Sequence, residues 1–191
     1  MIWLVLGLGN PGDEYAATRH NVGQMVADEL AAGHKARWSK DKSGTTLAAF
    51  KIGVGVDAAS VIVAKSRGYM NETGGPVKAL ASFYRIEPAN IIVLHDELDI
   101  GYSVIRSKFG GGDNGHNGLK SLTNSFGTAD YFRIRLGIGR PIGRQDPADF
   151  VLKPFASSEK KELPGFLSRA VEVTHSLITD GLTLTQQNFN G

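Results

Sequence analysis

Cysteine is absent from the chain, which removes disulfides, thiolate metal sites and a cysteine nucleophile together. No G-x-S-x-G elbow, H-E-x-x-H pair or Walker loop occurs. A serine hydrolase, a zinc protease and a P-loop enzyme therefore lack the residues their chemistry needs, and water is left as the nucleophile of any hydrolytic reaction. No apolar run is long enough to span a bilayer: the opening MIWLVLGLGNPG is short and carries no basic residues ahead of its apolar stretch. It reads as a buried first strand, and the expected location is cytoplasmic, with no membrane partner. Repeats, low-complexity tracts and long linkers are also missing, so the 191 residues are expected to form one domain over 1–191. A monomer is expected because no long apolar surface stripe stands out.

What is present can fold. Hydrophobic residues make up 41% and charged residues 21% of the chain, enough of the former to bury a core. The net charge of +2 is unevenly spread. Seven Lys/Arg stand against two acids between Ser103 and Arg144, giving +5 there and −3 elsewhere. Such a patch suits a polyanion, and a merely solvated basic face is the competing reading.

Apolar periodicity alternates between strand and helix. Strands are expected at Ile2–Leu6, Leu47–Ile52, Val54–Ala64, Ile91–Leu94, Ser103–Ser107 and Phe132–Ile138. Helices are expected from about His20 to Ala32 with Thr18 as cap, from Thr73 as cap to about Arg85, from about Asn117 to Ser125 and over Ser157–Gly181. Pro164 is tolerable in that last helix only near its first turn or as a break. The tail from Leu182 is left open. The order implies an α/β fold, a single globular domain whose twisted mixed sheet is flanked by helices on both faces; a hairpin between the second and third strands makes the sheet mixed.

Four places could carry chemistry. Gly7-Leu-Gly9-Asn-Pro-Gly12 satisfies G-x-G-x-x-G after a strand, but Pro11 interrupts the backbone amides a pyrophosphate would need, and no second strand ends in an acid about twenty residues later. The glycines read as a tight turn, which leaves Asn10 beyond a strand's carboxyl end, as a cleft amide or a cap of its own turn. His20 opens the next helix close to Asn10 and could act as a general base if a carboxylate holds one tautomer. His34, His95, His116 and His175 compete for that role.

His95-Asp-Glu-Leu-Asp99 follows a strand. It could be a solvated acidic turn, the source of one acid for the cleft, or a metal-dependent hydrolytic centre, although alternation along an extended chain sends neighbours to opposite sides. Gly110–Gly118 opens a helix, where free amides around Asn117 could face an anion or oxyanion.

Taken together, GLGNPGDEYAATRHNVG, YMNETG, HDELD, GGGDNGHNGLKSL and RIRLGIGRP resemble the bacterial peptidyl-tRNA hydrolase family, in order and spacing from Leu4 to Pro141. The resemblance implies a metal-free, cofactor-free esterase that releases peptide from tRNA and binds no DNA. In it His20 matches the essential histidine, Asp96 its carboxylate partner, and Asn10, Asn71 and Asn117 amides of the substrate cleft. Tyr15 matches a residue near the tRNA 3′ end, Met70 an apolar cleft wall, and Lys108 and Arg135 basic residues that hold a tRNA phosphate. Two stretches depart from the family's pattern: Lys65-Ser-Arg-Gly-Tyr69 stands where a proline and a Thr-Phe pair are common, and Asp113-Asn114 where a less acidic pair is common. A relative that binds RNA without cleaving it is the alternative, and retention of His20, Asp96 and the three asparagines argues against it.

Overall fold

Alternating apolar side chains build the sheet outward from its centre. In strand β1 (Ile2–Gly7), Val5 joins one hydrophobic cluster while Leu4 and Leu6 join another, the period of two that a strand buried on both faces requires. A computed structural model describes residues 1–191. After β1 come a short helix α1 (Asp13–Ala16), a 3-10 turn (Arg19–Asn21), helix α2 (Val22–Gly33) and strands β2 (Ser39–Lys40), β3 (Thr45–Ile52) and β4 (Ala59–Ser66). A second 3-10 turn (Met70–Glu72) leads into α3 (Gly74–Phe83), followed by β5 (Ile91–Glu97), β6 (Ile105–Phe109), α4 (Asn117–Phe126) and β7 (Phe132–Gly137). Three helices close the chain: α5 (Pro147–Val151), α6 (Ser157–Thr179) and α7 (Leu182–Phe189).

The seven strands form one sheet in the order β2-β3-β4-β1-β5-β7-β6. Its middle, β4-β1-β5-β7, is parallel, and β2, β3 and β6 add antiparallel edges. Helices cover both faces. Val22, Val26 and Leu30 of α2 pack with Phe166, Ala170 and Val173 of α6 on one side; Val77 and Leu80 of α3 pack with Leu119 and Leu122 of α4 on the other. This is the mixed, doubly covered sheet the sequence implies.

The chain leaves the carboxyl end of β1 through α2 on one face of the sheet and the carboxyl end of its neighbour β4 through α3 on the other. That opens a crevice there, where α/β folds bind ligands. Gly23 sets how closely α2 approaches this crevice: a Cβ at that position would lie 2.2 Å from the Leu94 carbonyl oxygen.

Several local expectations need correcting. Thr18 and Thr73 cap no helix; their hydroxyls donate to the Tyr15 and Met70 carbonyls and shape the 3-10 turns before α2 and α3. Strand β4 begins at Ala59 rather than Val54, since Gly55–Asp57 forms a further 3-10 turn. Strand β6 begins at Ile105 rather than Ser103, which sits at φ 69° in the preceding turn.

Strand β5 continues through His95, Asp96 and Glu97, held by parallel pairing with β7 up to Gly137. Pro164 lies inside α6 without ending it. The proline is exposed, so water can satisfy the freed carbonyl one turn earlier, while Phe166, Leu167 and Ala170 anchor the following turns in the core.

The tail forms α7 and closes a sheet edge. The Asn190 amide accepts from the Ser107 N–H at 2.8 Å and donates to the Ser107 carbonyl at 3.1 Å, taking the place of a neighbouring strand beside β6.

Candidate active site

Three parallel strands deliver the site. Asn10 lies three residues beyond β1, Met70 and Asn71 follow β4, and Asp96 is in the last turn of pleat of β5. With Tyr15, His20 and Asn117 they line one cleft of about 690 Å³. Seven of the nine residues singled out from the sequence are thus brought together. Lys108 and Arg135 lie outside the cleft lining, on β6 and β7, with Lys108 directly opposite Arg133.

His20 is placed by the Arg19–Asn21 turn, which is pinned on both sides. The Arg19 N–H donates to the Lys153 carbonyl at 3.0 Å, and its guanidinium pairs with Glu159 at 2.8 Å over the ring of Phe150. Asn21 accepts from the Asn10 N–H and donates to the Asn10 carbonyl, both at 2.9 Å. A single amide therefore ties the histidine turn to the glycine turn after β1. In sequence Asn21 is only a neighbour of His20; the partner eleven residues back appears once the two turns face each other.

Asp96 is the hub of the site. Its Oδ2 lies 2.8 Å from His20 Nδ1 and its Oδ1 lies 2.7 Å from His116 Nε2. The His116 tautomer follows from its other nitrogen: Nδ1 accepts from the Gly118 and Leu119 amides at 3.1 and 3.4 Å, so Nε2 must carry the proton it donates to Asp96. His116 is the residue the sequence reading undervalued. The free amides expected at the start of α4 are partly occupied, because the His116 ring caps that helix itself.

Burial penalises the Asp96 charge, but the two imidazoles on its oxygens outweigh that and hold its carboxyl well below the usual carboxylate range. Burial likewise pulls the His20 pKa down; the charge and hydrogen bond of Asp96 more than reverse this and leave it raised. With Asp96 ionised and accepting from Nδ1–H, His20 keeps Nε2 free as a base.

The amide orientation of Asn10 is fixed the same way. Oδ1 accepts from the Met70 N–H at 2.7 Å, so Nδ2 is the end left without a protein partner, on the cleft. The exposed amides of Asn71 and Asn117 also line the cleft and make no side-chain hydrogen bond. At the mouth Tyr15 and Tyr69 meet edge-on with ring centroids 6.3 Å apart. Tyr69 belongs to the stretch that departs from the family's pattern.

The HDELD segment does not converge as a metal shell. His95 is buried away from the cleft, with Nδ1 on the Asp96 carbonyl at 2.8 Å; burial, then the adjacent His116, push its pKa down to about 3. Glu97 and Asp99 both accept from Asn114 Nδ2, and also meet Arg135 and Arg140 respectively. These acids tether the glycine loop rather than forming a solvated turn, and Arg133 holds the same loop through the Gly111 and Gly112 carbonyls.

His20, Asp96 and His116 do group their donor atoms within 4.8 Å. A metal there would need a lone pair on His116 Nε2 while Nδ1 also accepts amide protons, that is, an imidazolate. The hydrogen-bonded arrangement needs no such species. The cluster fits proton transfer better than metal ligation.

The sequence pattern of a family described as peptidyl-tRNA hydrolase matches residues 4–191. The chain is similar to the peptidyl-tRNA hydrolase of Kineococcus radiotolerans, at 48% identity over 191 residues covering 98% of this chain and 96% of that protein. Against the Streptomyces coelicolor peptidyl-tRNA hydrolase the identity is 53% over 190 residues, covering 98% and 94%. The crystal structure of peptidyl-tRNA hydrolase from Acinetobacter baumannii matches with a TM-score of 0.89 at 32% identity, covering 100% of this chain and 95% of that one. Similarity of this extent leaves no part of the sheet or cleft outside the match, and this chain belongs to the peptidyl-tRNA hydrolase family.

Proposed function

We propose that this chain hydrolyses the ester joining a peptide to the 3′ end of tRNA, with His20 as general base and water as nucleophile. The observation that carries the reading is the 2.8 Å contact between His20 Nδ1 and the buried, ionised Asp96, which leaves Nε2 as the only basic nitrogen of that ring. A water within reach of Nε2 loses its proton as it attacks the ester carbonyl. The Asn10 Nδ2 donor stabilises the oxyanion, and collapse of the tetrahedral species expels the ribose oxygen, which takes up the proton from His20. Asp96 stays ionised throughout and stabilises the imidazolium that forms.

Specificity follows from desolvation. Asn71 and Asn117 have free amides that suit the hydrogen-bonding groups of a peptide bond. The α-ammonium of an unblocked aminoacyl-tRNA is costly to strip of water in the same cleft. Met70, 3% exposed, supplies an apolar wall, and Tyr15 packs against the 3′ end. Lys108 and Arg135 contact the phosphate backbone without reading sequence, as an enzyme acting on every tRNA requires. The same reading has the protein act in the cytoplasm as a monomer. No helix of the chain is long and apolar enough to cross a membrane.

The test is to give the protein N-acetylated aminoacyl-tRNA and its unacetylated counterpart. Release of the blocked amino acid alone, reduced by roughly 10²–10⁴-fold in His20→Ala, is expected. Tight tRNA binding without turnover would instead favour the non-catalytic RNA-binding reading.

A further inference from the structure

A second histidine pair sits at the opposite end of α2 from His20. His34, the residue just past the end of α2, and His175 of α6 face each other with Nε2 atoms 2.9 Å apart. The His34 ring is held flat against Phe50, with centroids 4.0 Å apart and planes 12° from parallel. Two imidazole nitrogens at that distance share one proton, because only one can donate. Both rings are partly open to solvent. Their pKa values are lowered, by burial for His34 and by burial and then His34 for His175, so both offer neutral nitrogens at neutral pH. One turn before His175, Glu172 is exposed and its side chain makes no hydrogen bond or ion pair. Residues three apart on a helix are neighbours, and the Glu172 charge acts on the His175 ring.

We propose that His34, His175 and Glu172 form a binding site for a late first-row divalent cation such as Zn²⁺ or Ni²⁺. Two neutral imidazoles and a carboxylate are a known donor set for such ions, with solvent completing the shell; the two nitrogens already face each other, whereas the exposed Glu172 carboxylate does not yet lie within 4.8 Å of both and joins them by a side-chain rotation. Tetrahedral ligands about 2.1 Å from a metal lie roughly 3.4 Å from each other, so the nitrogens need to part by only about half an ångström. His34 is braced by Phe50, which leaves His175 to make the adjustment. The ring that donates moves its hydrogen from Nε2 to Nδ1, so that both Nε2 atoms present lone pairs; the cation then takes the place of the hydrogen bond between them and staples the end of α2 to α6. These elements pack on the same face of the sheet and carry no cleft-lining residue in this region, so the ion stabilises the fold without taking part in the reaction.

The experiment uses the untagged full-length chain, chelator-treated and then titrated with Zn²⁺, Ni²⁺ or Mg²⁺ while calorimetric heat and melting temperature are followed. Zn²⁺ and Ni²⁺ are expected to bind one per chain and raise the melting temperature by roughly 5–10 °C at about 100 times the Kd. Millimolar Mg²⁺ should do neither. His175→Gln and His34→Gln should each abolish the shift, and Glu172→Gln should weaken binding by about tenfold. If His34→Gln proves poorly folded, the His175 and Glu172 variants, which change the partly exposed face of α6, still decide the matter. Absence of binding overturns the proposal. So does binding that survives His175→Gln and disappears in His20→Ala, which would put the cation at the cleft instead.

Discussion

His116 donates from Nε2 to Asp96 Oδ1 across 2.7 Å while its Nδ1 caps the first turn of α4. One ring thus serves the Asp96 carboxylate and a helix terminus, and substitution can separate the two services. His116→Ala removes both: it leaves a buried carboxylate oxygen unsatisfied and the amides uncapped, costing about 1–3 kcal/mol for the first and about 1 for the second. His116→Asn restores a good cap but is too short for Asp96. The alanine variant is expected to lose stability in urea titration, and the asparagine variant to recover part of it. Both should turn over more slowly by roughly tenfold, because Asp96 is held less firmly. An asparagine variant with wild-type kcat would show that the contact to Asp96 is only structural.

With His20 as the proposed base, the charge on Asp96 sets the expected pH dependence. His20 must be neutral to act as a base, and its pKa is raised above 6.5. The acid limb of kcat/KM is therefore expected to fall through an apparent pKa above that value, with a plateau on the alkaline side. Asp96→Asn removes the charge that raises the pKa and leaves the burial that lowers it. The limb should move to lower pH while the plateau drops by about 10²–10⁴-fold. A limb that stays in place would mean that another group titrates. Stability should respond at a different pH. Asp96 has a folded-state pKa below the unfolded value of 3.8, so its contribution is fully present above 3.8 and drains away as the pH falls through the depressed folded value.

Much of this site was legible because the residues follow strand ends. Asn10 after β1 and Asp96 at the end of β5 can be placed on one edge of a parallel sheet from hydrophobic runs alone. The family resemblance supplied the pairing of Asp96 with His20, seventy-six residues apart. What could not be read were contacts made by residues whose local role looked sufficient. His116 has the appearance of a loop histidine before a helix, and its second bond depends on how α4 docks against β5. The length of β5 was underestimated for a related reason: His95, Asp96 and Glu97 look like a polar turn. They remain strand because β7 pairs with them, and the Asp96 and Glu97 side chains find partners in His20, His116, Asn114 and Arg135.

The two ends of the Asn10 amide test the proposed oxyanion site and the fold separately. Its Oδ1 holds the Met70 amide and its Nδ2 faces the cleft. Asn10→Asp keeps an acceptor for Met70 and removes the oxyanion donor; Asn10→Ala removes both. Each is expected to lower kcat by roughly 10²–10³-fold, about 2.7–4 kcal/mol of barrier, with the aspartate at least as severe because it places a charge near the oxyanion. Only the alanine variant should also lose about 1–3 kcal/mol of stability through the orphaned amide. An aspartate variant with near-native kcat would remove Asn10 from the oxyanion site.

Lys108 and Arg135 test whether the basic strand pair outside the cleft meets the nucleic acid. Arg135 already leans on Glu97 through a long 3.4 Å contact, and the Lys108 pKa is lowered, first by burial and then by Arg135 and Arg133. Cations crowded on each other gain from a shared anion, so a phosphate lodged between them should relieve the repulsion. Lys108→Ala and Arg135→Ala are each expected to raise KM for N-acetyl-aminoacyl-tRNA severalfold at low salt and leave kcat nearly unchanged, since neither side chain reaches the ester. If each cation neutralises one phosphate, each loss should also flatten the slope of log KM against log salt by about 0.7–0.9. A short N-acetyl-aminoacyl ester lacking the tRNA body should be hydrolysed equally by wild type and variants. A KM rise that persists with that small ester would mean that the two residues act by shaping the cleft through Glu97, not by holding phosphate.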